Sequence, residues 1–478
     1  MKFEPTKESL DRHKVPEWYD NAKLGMFIHW SLFSVPAYAP ATKENLAEMM
    51  ENKGLAYAMK HNPYAEWYLN TLRIDDSPTQ AFHKEQYGED FSYFGFQKEF
   101  EEKSSALDMN DWAEFFQECG AKYVVMVTKH HDGYCLWPST NKNPNVKEYQ
   151  AQRDFVGELA EAVRARGMRF GIYYSGLLDW TFKEFPINSD EDFLRHRVTS
   201  TQYAEYSVKH IRELIERYRP ELLFNDIGFP GGVDLNKIFA DYYNEVPDGV
   251  VNNRWRQIEI PARQDIETEI KRILEEAGAH SMNENMLEFG VHCDYVTPEY
   301  INVDEIQKKK FEATRGVGLS FGYNQVETKD KTLSTAELIG LLVELVSKNG
   351  NLLINVGPMA NGKIPEIQKN PLLEMGEWLK KNGEAIYNTR PWQRPSAKTS
   401  DGKEIRFTCN GSTLYVIVLD KLIESELTIE DLQVDESTEI SILGEGEVDW
   451  VQTGNDLRIK LPAITKQQPI YSLKIEPK

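Results

Sequence analysis

The chain has 478 residues, too many for one compact core of ordinary size, so we expect a large domain and a smaller one. Its formal net charge of -21 argues against nucleic acid or an anionic membrane as a partner, because both bind surfaces rich in Lys and Arg. The four cysteines include no close pair, so they indicate neither a zinc cluster nor a disulfide framework. With no apolar leader and no apolar run of about 18 residues, we expect a soluble, cytoplasmic protein.

Short apolar segments alternate with amphipathic segments through residues 1–391. The predicted strands are 23–30, 123–128, 169–174, 222–226, 250–255, 317–323 and 352–356. The predicted helices are 111–118 (with Asn110 as N-cap), 155–166, 203–218, 235–246, 336–347 and 371–387. Seven or eight strand–helix units predict an α/β fold, a parallel (β/α)8-like TIM barrel.

Three stretches depart from this rhythm. Residues from the first strand to about 105 read as a long irregular region, and loops of that length are usually functional. Residues 256–291 read as an inserted excursion near the mouth of the barrel. From residue 392 to 478, short alternating segments at 404–408, 413–419, 439–443 and 456–460 predict a C-terminal antiparallel β-sandwich.

Polar residues stand at the ends of the predicted strands. The apolar run that begins at Leu222 stops at Asn225-Asp226, and from this stretch alone a cap of the following turn explains the carboxylate better than a catalytic role does. The carboxyl ends of barrel strands converge on one face, so such residues meet there. The residues predicted to line a shared polar pocket are His29, Glu66, Trp67, His130, His131, Tyr173 or Tyr174, Asp226, Arg254 and Glu299.

Two chemistries fit these residue types. Three histidines and an aspartate at strand ends are able to hold a metal for hydrolysis. Against this, the first strand has no His-x-His pair, and the adjacent His130 and His131 point to opposite faces if the strand continues through them. The alternative is sugar cleavage by paired carboxylates, with His, Trp and Arg binding the hydroxyls. The aromatic-rich character of the predicted pocket favours this second chemistry.

Several motifs occur in the order seen in one enzyme family. They are 27–30 (FIHW), 62–68 (NPYAEWY), 129–133 (KHHDG), 173–176 (YYSG), 225–226 (ND), 253–255 (NRW) and 320–323 (SFGY). In these motifs, and over almost its whole length, the chain resembles the alpha-L-fucosidases of glycoside hydrolase family 29, and it is most similar to the prokaryotic enzymes.

The resemblance implies a retaining, exo-acting enzyme that needs no cofactor or metal and forms a covalent fucosyl-enzyme intermediate. It implies Asp226 as nucleophile and Glu299 as acid/base. The implied fucose-binding residues are His29, Glu66, Trp67, His130, His131, Tyr173, Phe224, Arg254 and Phe321. Fucosylated oligosaccharides or glycoconjugates are the implied partners, and association into a homo-oligomer is a further expectation. A non-catalytic fucose-binding protein is the remaining alternative.

The chain departs from the family pattern at three places. Phe224 stands where close relatives carry Trp, and Asn253 replaces a more usual Asp. The stretch 256–291 is longer than in close relatives and lies directly before Glu299, so Glu312 is kept as the fallback for the acid/base.

Overall fold

The computed structural model describes residues 2–197, 199–257, 291–299, 303–462 and 467–477. Its larger unit is built on a parallel sheet whose central strands are buried on both faces, as expected for strands that read as continuous apolar runs. The strands are β1 (Leu24–Ile28), β2 (Tyr123–Lys129), β3 (Arg169–Ser175), β4 (Leu222–Asp226), β5 (Val250–Val251), β6 (Phe311–Gly316) and β7 (Gly350–Val356). Within the described residues these seven strands lie in the order β5-β4-β3-β2-β1-β7-β6.

The two edges of this sheet are joined by residues 294–299, which we name the closing segment. Tyr295 forms a parallel bridge to Asn252, just beyond β5, and Glu299 forms one to Thr314 of β6. The closing segment therefore occupies an eighth position between β5 and β6 and completes the ring. The prediction of a (β/α)8-like barrel is confirmed.

Helices cover the barrel and its loops. They are α1 (Lys7–Leu10), α2 (Glu17–Ala22), α3 (Leu46–Lys53), α4 (Leu55–Lys60), α5 (Tyr68–Leu72), α6 (Pro78–Tyr87), α7 (Phe96–Ser104), α8 (Met109–Glu118), α9 (Phe155–Ala165), α10 (Asp190–Arg197), α11 (Thr201–Tyr218), α12 (Leu235–Glu245), α13 (Thr335–Val346) and α14 (Glu366–Asn382). In the described parts of the chain, none of them combines the length and apolarity needed to cross a bilayer.

The long region before residue 105 is largely helical, so reading it as irregular was wrong. Its helices α3 to α7 are short, and short helices depend on caps and tertiary packing more than on periodicity. Asn45 and Glu48, for example, form a capping box at the start of α3. The cap of α8 was also misplaced, because Asp108 is the N-cap and its side chain accepts the N–H of Asn110.

Two further predictions are corrected. The strand expected at 317–323 lies at Phe311–Gly316 instead, and 317–323 is a loop. The charged residues Glu312 and Arg315 interrupt the apolar pattern of this strand, which is why it was missed. The last barrel helix begins at Glu366, ahead of the predicted start at Pro371.

The C-terminal unit is antiparallel, as predicted. In the part of it that the structure describes, a six-stranded sheet has the order β13-β12-β16-β10-β9-β8 and a three-stranded sheet the order β11-β15-β14. The strands are β8 (Arg390–Lys398), β9 (Glu404–Asn410), β10 (Thr413–Val418), β11 (Glu426–Ile429), β12 (Glu439–Ile442), β13 (Gly446–Glu447), β14 (Trp450–Thr453), β15 (Asp456–Lys460) and β16 (Tyr471–Glu476). Their inward side chains form a separate apolar core.

Candidate active site

Asp226 is the last residue of β4 and lies at the carboxyl-terminal face of the barrel. The Tyr173 hydroxyl donates to its Oδ2 at 2.7 Å, and Arg254 Nη1 donates to its Oδ1 at 2.9 Å. Burial by itself raises the pKa of Asp226, but the charge of Arg254, with His131 and Tyr173, outweighs burial and lowers that pKa. The carboxylate is therefore held ionised and fixed in orientation.

Glu299 stands at the far end of the closing segment and meets the same arginine. Its Oε1 lies 2.5 Å from Arg254 Nη1, the nitrogen that also donates to Asp226 Oδ1 at 2.9 Å. The two carboxylate oxygens are therefore no farther apart than the sum of those distances, about 5.4 Å. Glu299 is half-buried, with 30% of its side chain exposed, whereas 13% of the Asp226 side chain is exposed. One acid thus faces inward and the other faces the entrance.

Three histidines follow β1 and β2 and remain neutral. Burial lowers the pKa of His29 to about 4 and that of His131 to about 3, and it lowers the pKa of His130 well below its usual range. Asn355 Nδ2 donates to a backbone carbonyl, so its Oδ1 accepts from His29 Nδ1 at 2.7 Å. This leaves His29 Nε2 as a hydrogen-bond acceptor.

His131 is oriented in the same manner. The Ser175 hydroxyl donates to a backbone carbonyl and therefore accepts from His131 Nδ1, at 2.6 Å. His130 Nδ1 is buried and has no hydrogen-bond partner among the described residues. An unpaired buried polar atom costs about 1–3 kcal/mol, so the fold carries that cost at His130, beside the pocket.

The expectation that His130 and His131 point to opposite faces was wrong. β2 ends at Lys129, so the strand alternation does not extend to these residues, and their ring centroids lie 3.9 Å apart. Among the described residues, neither His130 nor His131 belongs to a cluster of three side chains close enough together to bind one metal ion. The group found consists of His13, His292 and Asp294.

Glu66 and Trp67 come from a single helical turn, 65–67, in the first long connection. Glu66 is buried and accepts the N–H of Gly322 at 2.7 Å and the hydroxyl of Ser320 at 3.3 Å. Burial raises its pKa to about 7, because these donors compensate for only part of the lost solvation. Trp67 packs edge-on against His131 with ring centroids 5.2 Å apart.

Aromatic rings form the apolar part of the pocket. Phe321 lies 5.0 Å from the His29 ring, and Phe224 stacks on Tyr173 at 5.7 Å. Arg254 lies over the Phe224 ring at 5.6 Å, so this position supports the arginine through its aromatic face. The structure therefore brings together all the predicted pocket residues.

Glu312, the fallback acid, lies elsewhere in the barrel. It is the second residue of β6 and pairs with Asn351, near the amino end of β7, whereas His29 is bonded to Asn355 four residues further on. Four residues of strand span about 13 Å. The hydroxyls of Tyr19 and Tyr123 donate to Glu312, which is fully buried. This carboxyl is therefore part of the barrel interior.

We expect Glu312→Gln to flatten the dependence of stability on pH. Burial raises the pKa of Glu312 from 4.5 to about 7 in the folded protein. The protonated form thus stabilises the fold at low pH, and this stabilisation is lost as the pH rises through about 7. As the pH rises from 4.5 to about 7, the unfolding free energy of the variant should gain on the order of 3 kcal/mol relative to that of the wild type.

Denaturant unfolding at a series of pH values measures this difference, with the exposed Glu436→Gln as control. Parallel stability curves for Glu312→Gln and the wild type would contradict the prediction. A loss of activity comparable to that of a Glu299 variant would move the acid/base role to Glu312.

Sequence reasoning missed the residues that orient the pocket. Arg254 donates to the hydroxyl of Thr297 at 2.7 Å and to its carbonyl at 2.8 Å. Asn253 Oδ1 accepts the N–H and the hydroxyl of Thr297 at 3.1 and 3.0 Å. The change of the usual Asp to Asn at 253 was the one available signal. Ser175 and Asn355 gave none, because each is an ordinary polar residue in a buried strand.

Two protein-family models match the chain. The one described as Alpha-L-fucosidase matches residues 1–384, and the one described as Alpha-L-fucosidase C-terminal domain matches residues 398–476. An alpha-L-fucosidase of Dictyostelium discoideum is 30% identical over 482 residues, which cover 99% of this chain and 92% of the relative.

Solved structures agree with this similarity over the full length. Thermotoga maritima alpha-fucosidase in complex with a mechanism-based inhibitor superposes with a TM-score of 0.84 at 40% identity, covering 99% of this chain and 100% of that one. The structure of the same enzyme with fucose gives a TM-score of 0.83 at 39% identity, with the same two coverages.

Proposed function

Since the chain belongs to the alpha-L-fucosidase family, glycoside hydrolase family 29, we propose that it is a retaining, exo-acting enzyme that removes terminal α-L-fucosyl residues. Its substrates are fucosylated oligosaccharides or glycoconjugates. The similar Thermotoga maritima structure holds fucose, which supports this sugar as the one recognised.

The observation that carries the proposal is the single Arg254 nitrogen shared by Asp226 and Glu299. Their oxygens lie within about 5.4 Å of each other. Retaining glycosidases hold their two carboxyl groups about 5–5.5 Å apart, whereas inverting enzymes need about 6.5–9.5 Å to admit a water molecule. The spacing therefore favours double displacement.

The two acids take different roles because their surroundings differ. Asp226 is ionised, buried and held by Tyr173 and Arg254, so it attacks C1 and forms the covalent fucosyl intermediate. Glu299 lies on the more open side and protonates the leaving oxygen. It then removes a proton from the water that releases fucose.

The pocket residues recognise a 6-deoxy sugar. Neutral His29 and His131 offer Nε2 acceptors to hydroxyls, and Glu66 accepts a further one. The Phe321 ring provides an apolar wall for the sugar's methyl group. Trp67, His130 and Phe224 complete the contact surface.

The first experiment follows the hydrolysis of an aryl α-L-fucoside by proton NMR. We expect α-fucose to appear first and to mutarotate afterwards, because two displacements at C1 restore the configuration. Initial β-fucose would contradict double displacement, and fucose binding without turnover would leave a non-catalytic binding protein.

We expect activity to be unchanged after dialysis against EDTA. Asp226 and Glu299 are both engaged by Arg254, and His29 and His131 each use one nitrogen on the protein itself. The measurement is kcat/KM before and after chelation, with a zinc-dependent hydrolase treated in parallel. Loss of activity that added metal restores would favour the metal-dependent hydrolase instead.

A further inference from the structure

A buried acid, Asp294, lies at the opposite end of the closing segment from Glu299. Only 1% of its side chain is exposed. Its Oδ1 is 2.7 Å from His13 Nδ1, and its Oδ2 accepts the hydroxyl of Tyr243 and the N–H of Val251, each at 2.7 Å. Three donors therefore satisfy this carboxylate. We name His13, Tyr243 and Asp294 the Asp294 clamp.

The clamp contains an ion pair. His13 Nδ1 faces the Asp294 carboxylate, and its Nε2 lies 3.3 Å from the carbonyl of Pro247, so both partners are acceptors and the ring carries both protons. Burial lowers the pKa of His13, but the bond to Asp294 outweighs burial and raises it. The ring also stacks on Tyr243 at 3.9 Å. Because both ring nitrogens of His13 donate, neither has a lone pair for a metal. Hydrogen bonding therefore explains the cluster of His13, His292 and Asp294 better than a metal site does.

The clamp fixes how the closing segment pairs with β5. Asp294 bonds to Val251 twice, through its own N–H at 2.9 Å and through its side chain at 2.7 Å. One residue further along both strands, Tyr295 and Asn252 form a parallel bridge in the same register. Three residues beyond Val251 and Asp294, Arg254 meets Thr297.

Register matters here because successive residues of an extended chain point to opposite faces. A slip of one residue would move Thr297 away from Arg254 and turn Glu299 to the other side of the barrel wall. The clamp lies five residues before Glu299, about 16 Å along an extended chain, so it does not touch the reacting atoms.

We propose that Asp294 is a positioning residue for Glu299, because its clamp sets the register that presents the acid to Arg254 and to the leaving oxygen. The inference rests on the proposed acid/base role of Glu299. A misplaced acid matters most for a poor leaving group, since an activated aryl group departs without protonation.

The test uses Asp294→Asn and the milder Tyr243→Phe, which keeps the ring stacked on His13 and removes its hydroxyl. We expect kcat/KM, which reports the steps up to formation of the covalent intermediate, to fall by about 10-fold or more for methyl α-L-fucoside and to stay within about twofold for 4-nitrophenyl α-L-fucoside. Thermal unfolding of each variant reports folding. Asn244→Ala is the matched control, because Asn244 ties the N-terminal segment to α12 through Phe3 without touching the closing segment.

Combination with Glu299→Ala separates positioning from a purely structural role. If the clamp acts through Glu299, adding Tyr243→Phe to Glu299→Ala should cause no further loss on the methyl fucoside. Equal losses of kcat/KM on both substrates, or a further loss in the double variant, would overturn the proposal. If Glu299→Ala itself shows no dependence on the leaving group, the acid assignment fails and the positioning role fails with it.

Discussion

Asp226→Gly should lower kcat for an aryl α-L-fucoside by about 10⁴-fold to 10⁶-fold, the range seen when a nucleophile or its partner is removed. The remaining arginine and histidines still bind the sugar, but no group is left to attack C1. The substitution also leaves Arg254 with Glu299 as its remaining carboxylate, so KM should change far less than kcat.

Azide identifies the role of the missing group. It fits the space left by the carboxylate and attacks C1 directly, so the product of Asp226→Gly should be β-fucosyl azide, formed with inversion. Asp234→Gly is the matched control, because Asp234 follows the same strand but caps α12 and should leave activity unchanged. Residual activity near that of the wild type, with no effect of azide, would exclude Asp226 as nucleophile.

The barrel was predictable because its central strands are buried on both faces and end abruptly. β4 is an apolar run stopped by Asn225-Asp226, so its end and its carboxylate were visible together. β6 was not, because Glu312 and Arg315 break its pattern although most of the strand is buried. The closing segment was equally hidden, since isolated bridges at Tyr295 and Glu299 leave no periodicity to read.

The residues of the candidate site were likewise predictable in part. His29, His130 and Asp226 stand directly at strand ends, so the convergence of a barrel predicts their meeting. The sequence did not show that Glu312 lies near the amino end of its strand, away from the pocket. The strand itself had not been recognised, so its two ends could not be told apart. The excursion expected near the mouth lies mainly at 258–290, outside the described residues.

The sharing of one arginine was also beyond prediction. Arg254 was expected to bind fucose, but its simultaneous contacts to Asp226, Glu299 and Thr297 depend on the register between β5 and the closing segment. That register is a tertiary property. It is set by Asp294, which bonds Val251 and is held by His13 from the N-terminal segment, 281 residues earlier in the chain.

Glu299→Ala should lose activity according to the leaving group. On methyl α-L-fucoside, kcat should fall by about 10²-fold to 10⁴-fold, the usual contribution of a general acid. On 4-nitrophenyl α-L-fucoside the first step needs no proton, so the intermediate on Asp226 forms and its hydrolysis becomes slow.

Azide needs no general base and should release that intermediate as α-fucosyl azide, with net retention, whereas Asp226→Gly gives the β product. Glu312→Gln, assayed beside it, should treat both substrates nearly as the wild type does. Equal losses of kcat/KM on both substrates in Glu299→Ala would remove Glu299 from the proton transfer to the leaving oxygen.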